Sequence, residues 1–169
     1  MSIEIRAVEP QDIDFIESIE NNQTFWKVSE TQLPFSRYQI KQYIENAHID
    51  IYSAKQYRFI IFIKSINVSV GIVDFYDFDP KNKRIGIGIV IDIAFQGKGY
   101  AKDAICLLLL HAKKQLLVHQ VYAKIHSNNL KSISLFEKCG FKHIATLKDW
   151  YFDGKTYEDE LLMHFIITD

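Results

Sequence analysis

The stretch of this 169-residue chain with the most chemical consequence is Gln96-Gly97-Lys98-Gly99-Tyr100-Ala101. It lies between an alternating apolar run, residues 84–93, and an amphipathic pattern of helical period from residue 100 to about 117. Two glycines at a strand-to-helix junction let backbone N–H groups turn toward one point, and the helix N-terminus adds partial positive charge. Together they suit a diphosphate. Side chains at Gly97 or Gly99 would block close approach of the phosphates. Lys98 either adds a point charge or is a solvated loop lysine. A Walker A loop would need four residues between its glycines and then Gly-Lys-Ser/Thr, which is absent. A GxGxxG fingerprint would put Lys102 at its last glycine, and the strands before it form a meander, not a βαβ unit. A glycine-rich turn that binds nothing is the remaining reading.

Other residues capable of chemistry are scattered. Asp74, Asp77 and Asp79 gather near a turn signal, Asp77-Phe78-Asp79-Pro80-Lys81-Asn82, where they would attract a cation or stay solvated. Glu17 and Glu20 share that ambiguity. His126 and Tyr122 lie on one strand and are base or relay candidates. Cys106 and Cys139 show no CxxC and no metal-ligand spacing, so both read as small buried thiols.

The elements that position these residues follow from periodicity. Ile3, Ile5 and Val8 suggest a short strand. Pro10 opens a helix with Ile13, Ile16 and Ile19 on one face, stopped by Asn21-Asn22. A second helix spans residues 36–47, with Pro34 and Ser36 at its start. Residues 58–64, 68–75 and 84–93 form an antiparallel meander. After the long helix come a strand at 120–126, a short helix at 130–138 ended by Gly140, and a hairpin, 141–152 and 155–167, around Asp153-Gly154. The order is β-α-α-β-β-β-α-β-α-β-β. The fold class is mixed α/β (α+β), a single domain over residues 1–169.

Composition narrows the class. Twenty basic against 21 acidic residues and 48 % apolar content give a net charge of −1 and enough core material to dispense with a metal or disulfide. A nucleic-acid binder would carry a basic excess. Neither a signal peptide nor a membrane span is legible, since apolar runs such as residues 107–110 are far too short to cross a bilayer. A cytoplasmic setting is the expectation.

The loop Gln96-Gly97-Lys98-Gly99-Tyr100-Ala101 resembles the Q/R-x-x-G-x-G/A loop of the GCN5-related N-acetyltransferase superfamily. Asn129-Leu130-Lys131-Ser132-Ile133-Ser134-Leu135-Phe136-Glu137-Lys138-Cys139-Gly140-Phe141 resembles that family's second signature. The opening residues 3–12 and the tail residues 147–159 resemble the branch of spermidine and ribosomal-protein N-terminal acetyltransferases. The resemblance implies acetyl-CoA as co-substrate and a mostly antiparallel sheet of about seven strands, with a splayed parallel pair and about four helices. It implies that Ile89, Val90 and Ile91 offer backbone groups to the pantetheine arm. Gln96, Gly97, Lys98, Gly99, Tyr100 and Ala101 would hold the pyrophosphate, and Asn129 would bind the coenzyme while also capping its helix. The acceptor would be a primary amine, a polyamine or diamine, with Asp74 and Asp77 drawing it in; a protein N-terminus is the alternative. A homodimer is expected.

An alkylamine with a pKa of about 10 must lose a proton before it attacks, and a thiolate whose acid has a pKa of about 8.5 leaves fairly well unaided. Phe136 stands where many relatives carry the tyrosine that protonates this thiolate. Ser132 is the substitute candidate, against its plain reading as a first-turn hydroxyl. A non-catalytic acyl-CoA-binding regulator is the alternative that the loss of this acid raises.

Overall fold

A computed structural model describes residues 3–29 and 31–168 of the chain. One sheet organises them, in the order β1-β2-β3-β4-β5-β7-β6. The strands are β1 (Glu4–Ala7), β2 (Tyr57–Ile63), β3 (Val68–Asp79), β4 (Arg84–Ile91), β5 (Gln120–His126), β6 (Lys142–Phe152) and β7 (Tyr157–Ile166). Every neighbouring pair is antiparallel except β4–β5. The helices are α1 (Ile13–Glu20), α2 (Gln23–Ser29), α3 (Arg37–Glu45), α4 (Ile51–Ala54), α5 (Tyr100–Lys114) and α6 (Leu130–Lys138).

Strand alternation sends apolar side chains to both faces. Ile61, Ile63, Val73, Phe75, Ile85 and Ile87 meet Ile105 and Leu108 of α5 in the larger core. Ile60 and Ile72 point the other way, onto Ile16 and Ile19 of α1 and Ile40 of α3. Each such side chain, fully buried, contributes about 1.5–3 kcal/mol. Ser36 begins α3 with a reciprocal cap: its Oγ accepts from Gln39 N–H at 3.2 Å, and Gln39 Oε1 accepts from Ser36 N–H at 2.8 Å.

Among the described residues six α-helices stand where about four were expected. The additional ones are α2 and α4. Asn22, read as a stop, is also a start: its Oδ1 accepts from Thr24 N–H at 3.0 Å and launches α2. Asp50 caps α4 by accepting from Tyr52 and Ser53 N–H groups. The expected turn at residues 77–82 is shorter. β3 runs on to Asp79 through a bulge in which Asp77 adopts φ 49° and Phe78 is buried. Cys106 is exposed and Cys139 half-buried, so the pair are not both core thiols.

The feature that makes a site is the split between β4 and β5. They pair only at Arg84–Gln120, Ile85–Val121 and Gly86–Tyr122. Beyond Gly86, β4 stays with β3 and β5 stays with β7. Tyr76 of β3 is wedged over the fork. A Cβ on Gly86 would lie 2.2 Å from its ring, so only glycine fits there. The ring also packs edge-on to Tyr122 of β5, centroids 5.8 Å apart. Gly71 is required for a similar reason, since its Cβ would meet Val90 O at 2.5 Å.

Candidate active site

The split opens into a cavity of about 740 Å³. Its walls are Ile87, Gly88, Ile89 and Val90 of β4 and Ala123, Lys124, Ile125 and His126 of β5. Asn129, Ser132 and Phe136 close one side; Glu20, Gln39, Tyr43, Arg58 and Asp74 close the other. The cavity therefore reaches both faces of the sheet.

Backbone phase decides what β4 offers this space. Asp92 N–H donates to Val70 O at 2.9 Å, continuing the β3–β4 register. In an antiparallel ladder this places Gly88 and Val90 in hydrogen-bonded pairs with β3 and turns the amides and carbonyls of Ile87, Ile89 and Ile91 to the open side. Ile91 O, on that side, accepts from Gln96 Nε2 at 3.0 Å. Ile89 and Ile91 thus turn their backbone groups to the open edge of β4. Val90 does not: its backbone faces Ile72, and its side chain packs toward the α1 and α3 layer.

The loop between β4 and α5 is built on glycine conformation. Gly97 has φ 75° and Gly99 φ 88°, and a Cβ at either would meet nothing within 4 Å. Backbone geometry, not crowding, demands glycine here, and the space above both residues stays open. Gly99 is the N-cap of α5 with no side chain to satisfy the first-turn N–H groups. Those donors face the cradle, which fits an anionic pyrophosphate.

The neighbouring side chains do other work. The Gln96 carboxamide ties the loop to the end of β4. Lys98 Nζ donates to Ala94 O at 3.1 Å and sits 4.9 Å from the centre of the Phe95 ring, folded back away from a point-charge role. The Tyr100 ring is buried in the larger core, and Ala101 packs against it, so both can serve a ligand only through their backbone. Asn129 caps α6, its Oδ1 accepting from Ser132 N–H at 3.2 Å. Ser132 and Phe136 both line the cavity. Phe136 is buried edge-to-face against Phe141, centroids 5.0 Å apart, and brings no hydroxyl.

On the opposite face, Asp74 lines the cavity but is gripped by Arg58, through Nε to Oδ1 and Nη2 to Oδ2, both at 2.8 Å. Arg58 Nη1 also donates to Glu20 Oε1. Burial pulls the Arg58 guanidinium down, yet Asp74's charge and hydrogen bonds reverse this and hold it well above its ordinary value. Tyr43 lies under the guanidinium at 5.2 Å, and burial pushes its phenol up to about 12. Asp77 is not on the cavity wall. It is exposed on the β3 bulge and accepts from Tyr122 Oη at 3.3 Å.

Sequence reasoning did not single out Arg58, Tyr43 or Glu160. A signal existed for two of them. Arg58 and Glu160 are charges at inward positions of apolar strands, where a charge is kept only with partners. Glu160 is 3 % exposed and is the register partner of His126, itself 6 % exposed. Among the described residues no cluster of His, Cys, Asp and Glu could hold a metal, and no helix is long and apolar enough to cross a membrane.

A family model described as an acetyltransferase (GNAT) domain matches residues 2–142. The chain belongs to this family. It is an acetyl-CoA-dependent N-acetyltransferase. It is similar to the SPbeta prophage-derived N-acetyltransferase YokL of Bacillus subtilis, 27 % identical over 94 % of this chain and 86 % of that one. It is also similar to the spermidine N(1)-acetyltransferase of Vibrio cholerae, 26 % identical over 96 % and 91 %. A crystal structure of the Vibrio cholerae spermidine N-acetyltransferase with CoA and spermine superposes with TM-score 0.88, at 24 % identity over 97 % and 95 % of the two chains. A dodecameric structure of that enzyme gives TM-score 0.80, at 25 % identity over 97 % and 93 %.

Proposed function

We propose that this acetyltransferase modifies a primary amine of a short aliphatic diamine or polyamine. The observation that carries the reading is one cavity lined from both faces of the sheet, with the split strands β4 and β5 and the start of α6 at one side and carboxylates at the other. Acetyl-CoA would lie along the open edge of β4. Ile89 and Ile91 would hold its pantetheine arm in strand fashion, and one of their N–H groups would polarise the thioester carbonyl. The first-turn amides of α5, with Gly97 and Gly99, would hold the pyrophosphate.

The acceptor would enter from the α1 and α3 side. Glu20, Asp74 and Glu160 favour an ammonium group there, and the Tyr43 ring favours methylenes. Arg58 offsets part of the acidic charge, so the wall suits a chain with one or two ammonium groups. The spermidine acetyltransferases similar to this chain support the same acceptor class. A protein N-terminus is the competing acceptor.

Acting as a single domain, the chain would pair at least as a homodimer, and its use of acetyl-CoA suits the cytoplasm. Sedimentation at micromolar protein checks the assembly. The acceptor is tested by thiol release from acetyl-CoA with putrescine, spermidine, spermine, a monoamine and a short unblocked peptide. Turnover with the diamine or polyamines, exceeding that with the peptide, is the expected result. Preference for the peptide overturns the reading.

A further inference from the structure

We propose that His126 is the base that takes the proton from the acceptor ammonium, with Glu160 as the residue that positions and charges it. This rests on the amine-acetylation reading above and names the group that reading leaves unassigned.

The placement comes from register. β4 and β5 pair at Gly86–Tyr122 before they part. Continuing that offset brings His126, the last residue of β5, level with Val90, between the outward-turned backbones of Ile89 and Ile91. The point where a thioester carbonyl would be polarised and the imidazole therefore face each other across the split. Alternation along β5 puts Val121, Ala123 and Ile125 into the core under α5, and Tyr122, Lys124 and His126 on the other face. That is the face the acceptor enters, opposite Ser132 and Phe136. A base for the amine belongs on this side and an acid for sulfur on the other.

His126 is held for such a role. It is 6 % exposed and lines the cavity, and its ring lies 4.1 Å from that of Tyr151 of β6. Its carbonyl accepts from Asn129 N–H at 2.9 Å, which fixes the end of β5 against the start of α6. Glu160 of β7 is its cross-strand partner, 3 % exposed and on the same wall. Two buried ionisable side chains facing one cavity are costly as mere structure, because apolar residues would fill the positions with less desolvation. The titratable groups shown beside the imidazole are Glu160 from β7 and Tyr151 from β6, and Tyr76 from β3 and Lys124 from its own strand line the same cavity. The Lys27–Glu158 pair lies beyond Tyr151. From β4 and α6 the cavity is lined by Val90, Ser132 and Phe136, none charged.

The proton balance closes. R–NH3⁺ gives one proton to neutral imidazole; the amine lone pair forms the C–N bond; the C–S bond breaks and its electron pair leaves on sulfur. The nitrogen sheds a second proton, which ends on the thiolate. The products are the acetamide, CoA–SH and an imidazolium that returns its proton to water.

The test is the pH dependence of kcat/KM for the best amine of the panel, in wild type, His126→Gln and Glu160→Gln. His126→Gln should lose about 10²–10⁴-fold at pH 7. The deficit should shrink severalfold per pH unit toward pH 10, where the amine deprotonates unaided. CoA affinity should stay near wild type, and the variant should be shown folded by circular dichroism at the assay temperature. Glu160→Gln should move the acidic limb of the profile to lower pH, since a neighbouring carboxylate raises an imidazole pKa. A loss below threefold in His126→Gln, or a deficit constant from pH 7 to 10, overturns the proposal. If His126→Gln does not fold, an unmoved limb in Glu160→Gln overturns it instead. Wild type that releases no thiol with any amine rejects the function reading itself, a result visible before any variant is compared.

Discussion

Replacing Gly99 separates the two things its backbone does. At φ 88° an L-residue is strained, and a Cβ there meets nothing within 4 Å, so strain is the whole folding cost. A left-handed conformation costs about 1–2 kcal/mol for a residue with a Cβ. At about 2–4 °C per kcal/mol for a chain of this size, Gly99→Ala should lower the thermal midpoint by about 2–8 °C and leave the fold intact. Gly99→Val adds branches that project into the cradle. Each backbone hydrogen bond to a charged phosphate is worth about 1.5–3 kcal/mol. Losing one weakens CoA binding about 10- to 150-fold. Titration calorimetry with CoA, on variants shown folded by circular dichroism, reads the two effects apart. Alanine should show most of the stability loss with little loss of affinity, and valine should show both. A folded Gly99→Val that binds CoA as wild type does would remove this loop from the coenzyme site.

Phe136→Tyr should keep CoA affinity within about twofold, because the ring and its contact with Phe141 remain. Turnover should rise less than tenfold because a thiolate leaves readily; a gain nearer the roughly 10²–10⁴-fold typical of general acid catalysis would show that sulfur protonation limits the wild type. Arg58→Met should cost about 2–4 kcal/mol, below the ~3–5 of a fully buried pair, since Asp74 keeps 30 % side-chain exposure. Adding Asp74→Asn should recover part of that loss in urea unfolding, and strictly additive losses would disprove the clamp. Burial, with Cys106 nearby, pushes the Cys139 thiol up to about 11 from 9.0. Its protonated form is the one the fold favours, so its stability contribution is full below pH 9.0 and is lost as pH climbs to about 11. Alkylation of Cys139, followed by peptide mass spectrometry, should rise about tenfold per unit from pH 8 to 10, and a plateau below pH 9 would refute the shift.

What the sequence makes legible here is local chemistry. Gly97 and Gly99 are readable because positive φ at a strand-to-helix junction leaves glycine as the natural choice, and the structure holds both in that region. The α5 and α6 patterns and the strand at residues 120–126 are readable because each has one period and a clear stop. Asn22 defeated the reading of α2 because one side chain ends α1 and caps the next helix. Asp77 and Phe78 look like a turn because a bulge and a turn use the same residues, and only the burial of Phe78 separates them.

Site residues are harder for a different reason. Gln96 and Lys98 sit in the loop motif, but whether such side chains reach outward or fold back depends on Ile91 O and Ala94 O, which motif spacing does not encode. Arg58 and Asp74 pair across β2 and β3, His126 and Glu160 across β5 and β7, and the two pairs face one cavity because β4 and β5 part between them. At the last rung they share, the Tyr76 ring lies over Gly86, its register partner, where a Cβ would come within 2.2 Å of it. A larger residue at position 86 would have to displace the Tyr76 ring. By overpacking this would cost about 1–3 kcal/mol. It would also shift the fork that sets the spacing between the Ile89 backbone and His126. Gly86 does not line the cavity, yet a side chain there would press on Tyr76, which does.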